Sequence, residues 1–255
     1  MSKPKIAVFK FTSCSGCQLE FLNIEDQLLD LVGAVDIAYF VEAKRENAPG
    51  PYDVAFVEGA ISTPEEVERI KQIREQSSIL VAVGACATSG GVPSIRNWKR
   101  TDFLKSTVYP EPSKVHTLEW ATGIGVYVPV DLELRGCPVG RQQLLEAVVS
   151  LLLGKTPAFR TGPVCTECKL KDNVCLLVDK GEPCLGPVTV AGCGALCPSN
   201  GRACYGCFGP SDDPNVPGLV KIFEDKGLSR DHILRVLRHV SGYAEPMRKV
   251  SEQYE

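Results

Sequence analysis

"SILVAVGAC", Ser78 to Cys86, runs through five uninterrupted apolar residues, Ile79 to Val83, and ends in a glycine, an alanine and a cysteine. A short, wholly apolar run fits a strand covered by helices on both faces, as the strands of parallel sheets are. "DVAFVEG" (Asp53 to Gly59) has the same character. Further strands are predicted at "KIAVFKF" (Lys5 to Phe11), "VDIAYFV" (Val35 to Val41) and about Val126 to Leu134. Helical stretches fall between them: about Gln18 to Leu31, a helix opened at Thr63, and about Arg141 to Leu153. Thr63, Pro64 and Glu66 spell a capping box with proline at the first helical position. The alternation predicts an α/β domain over residues 1–155, a doubly wound parallel sheet.

From "GKTPAFRTGPV" (Gly154 to Val164) the character changes. A Pro/Gly-rich linker opens a smaller, irregular region over residues 156–255, with eight cysteines between Cys165 and Cys207 and a helical tail ending in "SRDHILRVLRHV" (Ser229 to Val240). So few long apolar side chains fit among those cysteines that inorganic cross-links are expected to supply much of the stability. The tail helix reads as a covering or docking element.

The 255 residues carry 44% hydrophobic side chains and a formal charge of -3, enough for a sizeable core and without the basic excess that tracks a phosphate backbone. Nucleic acid is therefore not expected as a partner. The N-terminal stretch shows no export signal, and "LLEAVVSLLLG" (Leu144 to Gly154) is too short to span a bilayer, so a cytoplasmic protein without membrane insertion is expected. Twelve cysteines in a reducing compartment point to metal ligation rather than disulfides, and with three histidines, none beside a cysteine pair, the ligands are mostly thiolates.

Four of the cysteines share one kind of place. Cys14 and Cys17 follow the first strand, Cys86 follows the fourth apolar run, and Cys137 follows "VDLELRG". In a doubly wound sheet the carboxyl ends of strands lie together along one edge, so these four converge in space. Gly16, Gly84, Gly136 and Pro138 beside them suit tight turns. The other eight fall into two groups, Cys165, Cys168, Cys175, Cys184 and Cys193, Cys197, Cys204, Cys207, each with one CxxC pair. Buried free thiols, a redox dithiol at Cys14/Cys17 and structural zinc are the alternatives. A total of three fours, one of them on the edge of an α/β domain, favours iron-sulfur clusters.

With these residues in view, the chain resembles the small, electron-transferring subunit of a [NiFe]-hydrogenase. "TSCSGCQLEF", "FVEGAIST", "VAVGACATSGG" and "RGCPVG" resemble the proximal-cluster domain of that family, which is flavodoxin-like; "CLGPVT", "AGC" and "CYGCFGP" resemble its second cluster domain. Within the family the sequence looks most like the cytoplasmic multimeric group, and "GEPCLGPVTVAGC" most like a sulfhydrogenase delta subunit. The resemblance implies three [4Fe–4S] clusters: proximal on Cys14, Cys17, Cys86 and Cys137, medial on Cys193, Cys197, Cys204 and Cys207, distal on Cys165, Cys168, Cys175 and Cys184. Cys165 stands where periplasmic relatives have histidine, and Cys197 where many have proline. Gly16 and Gly91 stand where oxygen-tolerant relatives carry two extra cysteines, which implies an ordinary proximal cubane. Glu58 is expected to support that cluster rather than ligate it.

The same resemblance implies a hetero-oligomer. A large subunit holds the NiFe centre, and flavin/iron-sulfur diaphorase subunits hold FAD or FMN and reduce NAD(P). Other acceptors fit the same subunit: a heterodisulfide reductase, a deazaflavin-reducing subunit, or a bifurcating ferredoxin/NAD assembly. A zinc-stabilised binding module is the non-catalytic alternative. No catalytic acid, base or nucleophile is assigned on this chain.

Overall fold

The computed structural model describes residues 3–24 and 33–255. The chain divides into two compact units, residues 1–157 and 158–255.

The first unit is built on five parallel strands: β1 (Lys5–Lys10), β2 (Asp36–Phe40), β3 (Tyr52–Glu58), β4 (Ser77–Val83) and β5 (Leu132–Leu134). Their order is β2-β1-β3-β4-β5, which is the doubly wound arrangement with its switch point between β1 and β3. Central β3 and β4 pair in register, Val54 with Ile79 through Glu58 with Val83. Ala55, Phe56, Val57, Leu80, Val81, Ala82 and Val83 are all buried, as a sheet covered on both faces requires. One layer of core gathers Phe9, Phe11, Tyr52, Ile61, Ile70, Ile73, Leu80 and Ile124. Each such side chain contributes roughly 1.5–3 kcal/mol by leaving water.

Helix α1 spans Gly16–Leu22; of the longer stretch expected to Leu31, residues 25–32 lie outside the described residues. Helix α2 (Pro64–Glu75) starts as the sequence predicts. Thr63 accepts from the Glu66 N–H at 3.3 Å, and the Glu66 carboxylate accepts from the Thr63 N–H at 3.2 Å. Glu66 also accepts from the Thr12 hydroxyl at 2.9 Å, so this cap is tied to the loop after β1. Helices α3 (Gly84–Ser89) and α4 (Thr101–Val108) follow β4, with a 3-10 turn at Val92–Trp98 between them. Helix α5 (Arg141–Leu152) buries Leu144, Ala147 and Val148 but leaves Val149 exposed, so it is amphipathic rather than buried all round.

The last strand is shorter than expected. Residues 124–126 form a 3-10 turn and pairing begins only at Leu132. Pro129 cannot donate to a ladder; at Asp131 the backbone N–H donates to the Leu80 carbonyl at 3.0 Å, and it is the side chain that accepts from the Leu80 N–H, at 2.7 Å. Arg74 also donates to Asp131.

The second unit contains α6 (Val164–Leu170), α7 (Leu176–Asp179), α8 (Leu196–Ser199), α9 (Val216–Asp225), α10 (Arg230–Leu237) and α11 (Glu245–Tyr254). Beside its cysteine-rich stretch this unit has an apolar core of its own. Val216, Leu219, Val220 and Phe223 of α9 pack with Ile233 and Leu237 of α10, Met247 of α11, and Leu177, Leu185 and Val188. The supposed tail is thus the apolar centre of this unit. Ser229 caps α10, accepting from the His232 N–H at 3.4 Å, and His232 itself is exposed.

Candidate metal centres

Parallel strands bring the first four cysteines to one sheet edge. Cys14 and Cys17 lie in the loop and first turn after β1, Cys86 lies in α3 directly after β4, and Cys137 lies three residues after β5. The thiols influence one another electrostatically: Cys86 and Cys137 act on Cys17, Cys137 and Cys14 on Cys86, and Cys14 on Cys137. Burial is the largest influence on each of the shifted ones. It pushes Cys17 and Cys137 up and Cys86 up to about 12, and their mutual repulsion adds to the effect. Such a set repels further negative charge and suits a cationic group that holds the sulfurs as thiolates.

The backbone is shaped to the sulfurs. At Gly84, φ +80, a Cβ would lie 2.3 Å from Cys17 Sγ; at Gly91, φ +54, it would lie 2.6 Å from Cys86 Sγ. Only glycine fits either place. The Ala85 N–H donates to the Gly136 carbonyl at 2.7 Å, joining the Cys86 turn to the Cys137 turn. The amides of Val139 and Val92 point at Cys17 and Cys86. Between β1 and β4, the Glu58 carboxylate at the end of β3 is 3% exposed and accepts from the Cys17 N–H at 3.2 Å. Burial pushes its carboxyl up, and the Cys17 and Gln18 amides oppose that.

In the second unit Cys165 and Cys168 sit on α6, Cys175 caps α7 and Cys184 follows it. Cys165 interacts with Cys184, Cys168 and Cys175, and burial first, then these neighbours, push it up to about 11. Cys204 interacts with Cys184 and Cys207, and burial pushes it up to about 12. Its N–H donates to Cys184 Sγ at 3.2 Å, so the two groups of cysteines meet at this pair. Cys193 lies in the loop before α8 and Cys197 within α8. Burial pushes the Cys193 thiol up, and Glu167 reinforces it.

Among the described residues no three His, Cys, Asp or Glu side chains are placed to hold a single metal ion. The backbone cradle that only glycine allows beside Cys17 Sγ and Cys86 Sγ leaves room for a sulfur-ligated group. Sequence reasoning missed two acidic neighbours of these sites as structural elements, Glu66 toward Thr12 and Glu167 toward the Cys193 loop; nothing in local spacing signals either contact. No helix among the described residues is long and apolar enough to cross a membrane.

Comparison with known proteins agrees with this arrangement. Residues 14–151 match the family described as NADH ubiquinone oxidoreductase, 20 Kd subunit. The chain is 38% identical over 234 residues to Sulfhydrogenase 2 subunit delta of Pyrococcus furiosus, covering 92% of this chain and 98% of that one. It is 34% identical to a vhu subunit of the F420-non-reducing hydrogenase of Methanocaldococcus jannaschii, covering 82% of each. Among solved structures it is similar to a chain of NAD+-reducing [NiFe]-hydrogenase in the H2-reduced state, with TM-score 0.57 and 31% identity, over 62% of this chain and 95% of the other.

Proposed function

This chain belongs to the NADH ubiquinone oxidoreductase 20 Kd subunit family and is the small subunit of a [NiFe]-type hydrogenase, and from there we propose that it conducts electrons through three [4Fe–4S] clusters between a large subunit and a flavin/NAD(P) diaphorase module. The proposal is carried by the placement of Cys14, Cys17, Cys86 and Cys137 just past strand ends of one parallel sheet, with Gly84 tight against Cys17 Sγ and Gly91 tight against Cys86 Sγ. Cys165, Cys168, Cys175 and Cys184 form the distal set, supported by the interactions of Cys165 with the other three. Cys193, Cys197, Cys204 and Cys207 form the medial set, supported by the Cys204–Cys207 interaction.

When bound, such clusters supply one-electron redox steps. The chain's own work is to hold sulfurs at fixed places, to aim amides at them and to keep water away. The Val139, Val92 and Gly206 N–H groups stabilise charge on Cys17, Cys86 and Cys204. The Cys204 N–H to Cys184 Sγ contact, at 3.2 Å, links the medial and distal sets. H2 is activated on the partner chain, and no residue here acts as acid, base or nucleophile. The acceptor reading follows the NAD+-reducing relative.

The test is an assay of the purified complex under H2 with NADP, NAD, ferredoxin and viologen in parallel. Reduction of NADP or NAD is expected. Viologen reduction without pyridine-nucleotide reduction would reject the diaphorase and keep the hydrogenase role.

A further inference from the structure

The Cys193 loop is held by two charged side chains, one on α6 and one at its C-terminal end, and neither belongs to a ligand set. Glu167 lies on α6 between Cys165 and Cys168 and is 8% exposed. Its Oε1 accepts from the Gly192 N–H at 3.1 Å and its Oε2 from the Ala195 N–H at 3.2 Å. Lys171, one turn further on, donates to the Gly194 carbonyl at 2.6 Å. The loop needs this grip: φ is +132 at Gly192, +64 at Gly194 and +51 at Ala195, and the last is a left-handed conformation that costs a non-glycine residue roughly 1–2 kcal/mol.

Glu167 also acts electrostatically on Cys193. Arg160 is the cation beside it, with Nε 3.9 Å from Oε1, but Arg160 is 63% exposed and an ion pair of that kind is well screened. The carboxylate's field therefore reaches the Cys193 thiol in the loop it holds. One helix thus carries two distal ligands and, between them, the clamp on a medial ligand.

Resting on the cluster assignment above, we propose that Glu167 is a positioning residue for electron transfer, whose carboxylate fixes the Cys193 loop and lowers the reduction potential of the cluster that loop binds. A buried negative charge beside a cluster opposes the arrival of an electron.

The experiment is a redox titration of the whole purified complex followed by electron paramagnetic resonance, with iron and acid-labile sulfide measured on each sample. Cys193→Ser identifies the wave of the cluster concerned. Glu167→Gln is expected to move that wave upward by at least tenfold in its oxidised/reduced ratio at a fixed potential, which is 59 mV for a one-electron couple, and to leave the other waves in place. A fully loaded Glu167→Gln complex with an unmoved wave overturns the inference. If Glu167→Gln loads less iron, Glu167→Asp is titrated in its stead: full iron with an unmoved wave supports the clamp, and the same loss of iron overturns it. A wild-type complex without cluster waves, or a Cys193→Ser complex that keeps all of them, overturns the cluster assignment and this inference with it.

Discussion

The two units solve the same problem by opposite means. In the first, sheet topology gathers Cys14, Cys17, Cys86 and Cys137 from distant parts of the chain, around an α/β core of apolar side chains. In the second, the cysteines are close in sequence, and a separate packed cluster centred on Phe223 supports the loops that carry them. The difference teaches that a ligand set can be fixed either by where strands end or by a short loop clamped from outside. The first kind tolerates no change of backbone volume beside a sulfur. The second depends on side chains that grip the loop.

The largest expected effect breaks the comparison at its tightest point. Gly84→Ala places a Cβ 2.3 Å from Cys17 Sγ at a φ of +80 and should abolish the proximal cluster, removing roughly a third of the iron. Gly227→Ala, in the second unit at the same φ but with nothing within 4 Å, should keep its iron and lose about 1 kcal/mol of stability. Iron analysis and thermal unfolding of the two variants check the pair; equal iron in both would show that the Gly84 cradle is not needed.

Next in size, Phe223→Ala should cost about 3–5 kcal/mol, because the ring is fully buried in the apolar cluster of α9 to α11. Hydrogen exchange should show the loss in residues 158–255 while the β1 to β5 sheet stays protected. Protection unchanged throughout would mean that inorganic cross-links, not this core, support the second unit.

A smaller effect is expected from Thr63→Ala, about 1 kcal/mol, since it removes one side of the capping box. Thermal unfolding reads it, and a second substitution, Glu66→Gln, should add further loss because Glu66 also holds Thr12 near the Cys14 loop.

The smallest is a pH effect at β5. Burial alone would push the Asp131 carboxyl up, but the Leu80 N–H and the Arg74 guanidinium outweigh it and hold the group below the usual carboxylate range. A depressed folded value means stability that is present above the unfolded value near 3.9 and lost as pH falls through the folded one. Unfolding measured from pH 6 down to pH 3 should therefore fall further for wild type than for Asp131→Asn. Parallel curves would remove Asp131 from the account of why β5 starts so late.

Much of this was legible before any coordinates. The apolar runs of β3 and β4, the Thr63–Pro64–Glu66 start and the placement of Cys86 and Cys137 just past strand ends need only local pattern and the geometry of parallel sheets. What stayed hidden had physical reasons. Pro129 inside an apolar stretch shortened β5, an override that hydrophobicity conceals. The spacing Val216, Leu219, Val220, Phe223 is helical, yet which distant side chains that face packs against is a long-range matter that spacing does not state. The grip of Glu167 on Gly192 and Ala195 spans 25 and 28 residues and leaves no trace in either segment. Topology could be read from periodicity, whereas clamps are long-range hydrogen bonds and could not.

The central claim is that the twelve cysteines form three iron-sulfur sites. Iron, acid-labile sulfide and zinc measured in one anaerobic sample of the purified complex, corrected for metal in the partner subunits, test it most directly. The account expects about twelve iron and about twelve sulfide on this chain, with no zinc. About three zinc on this chain and no labile sulfide would contradict it.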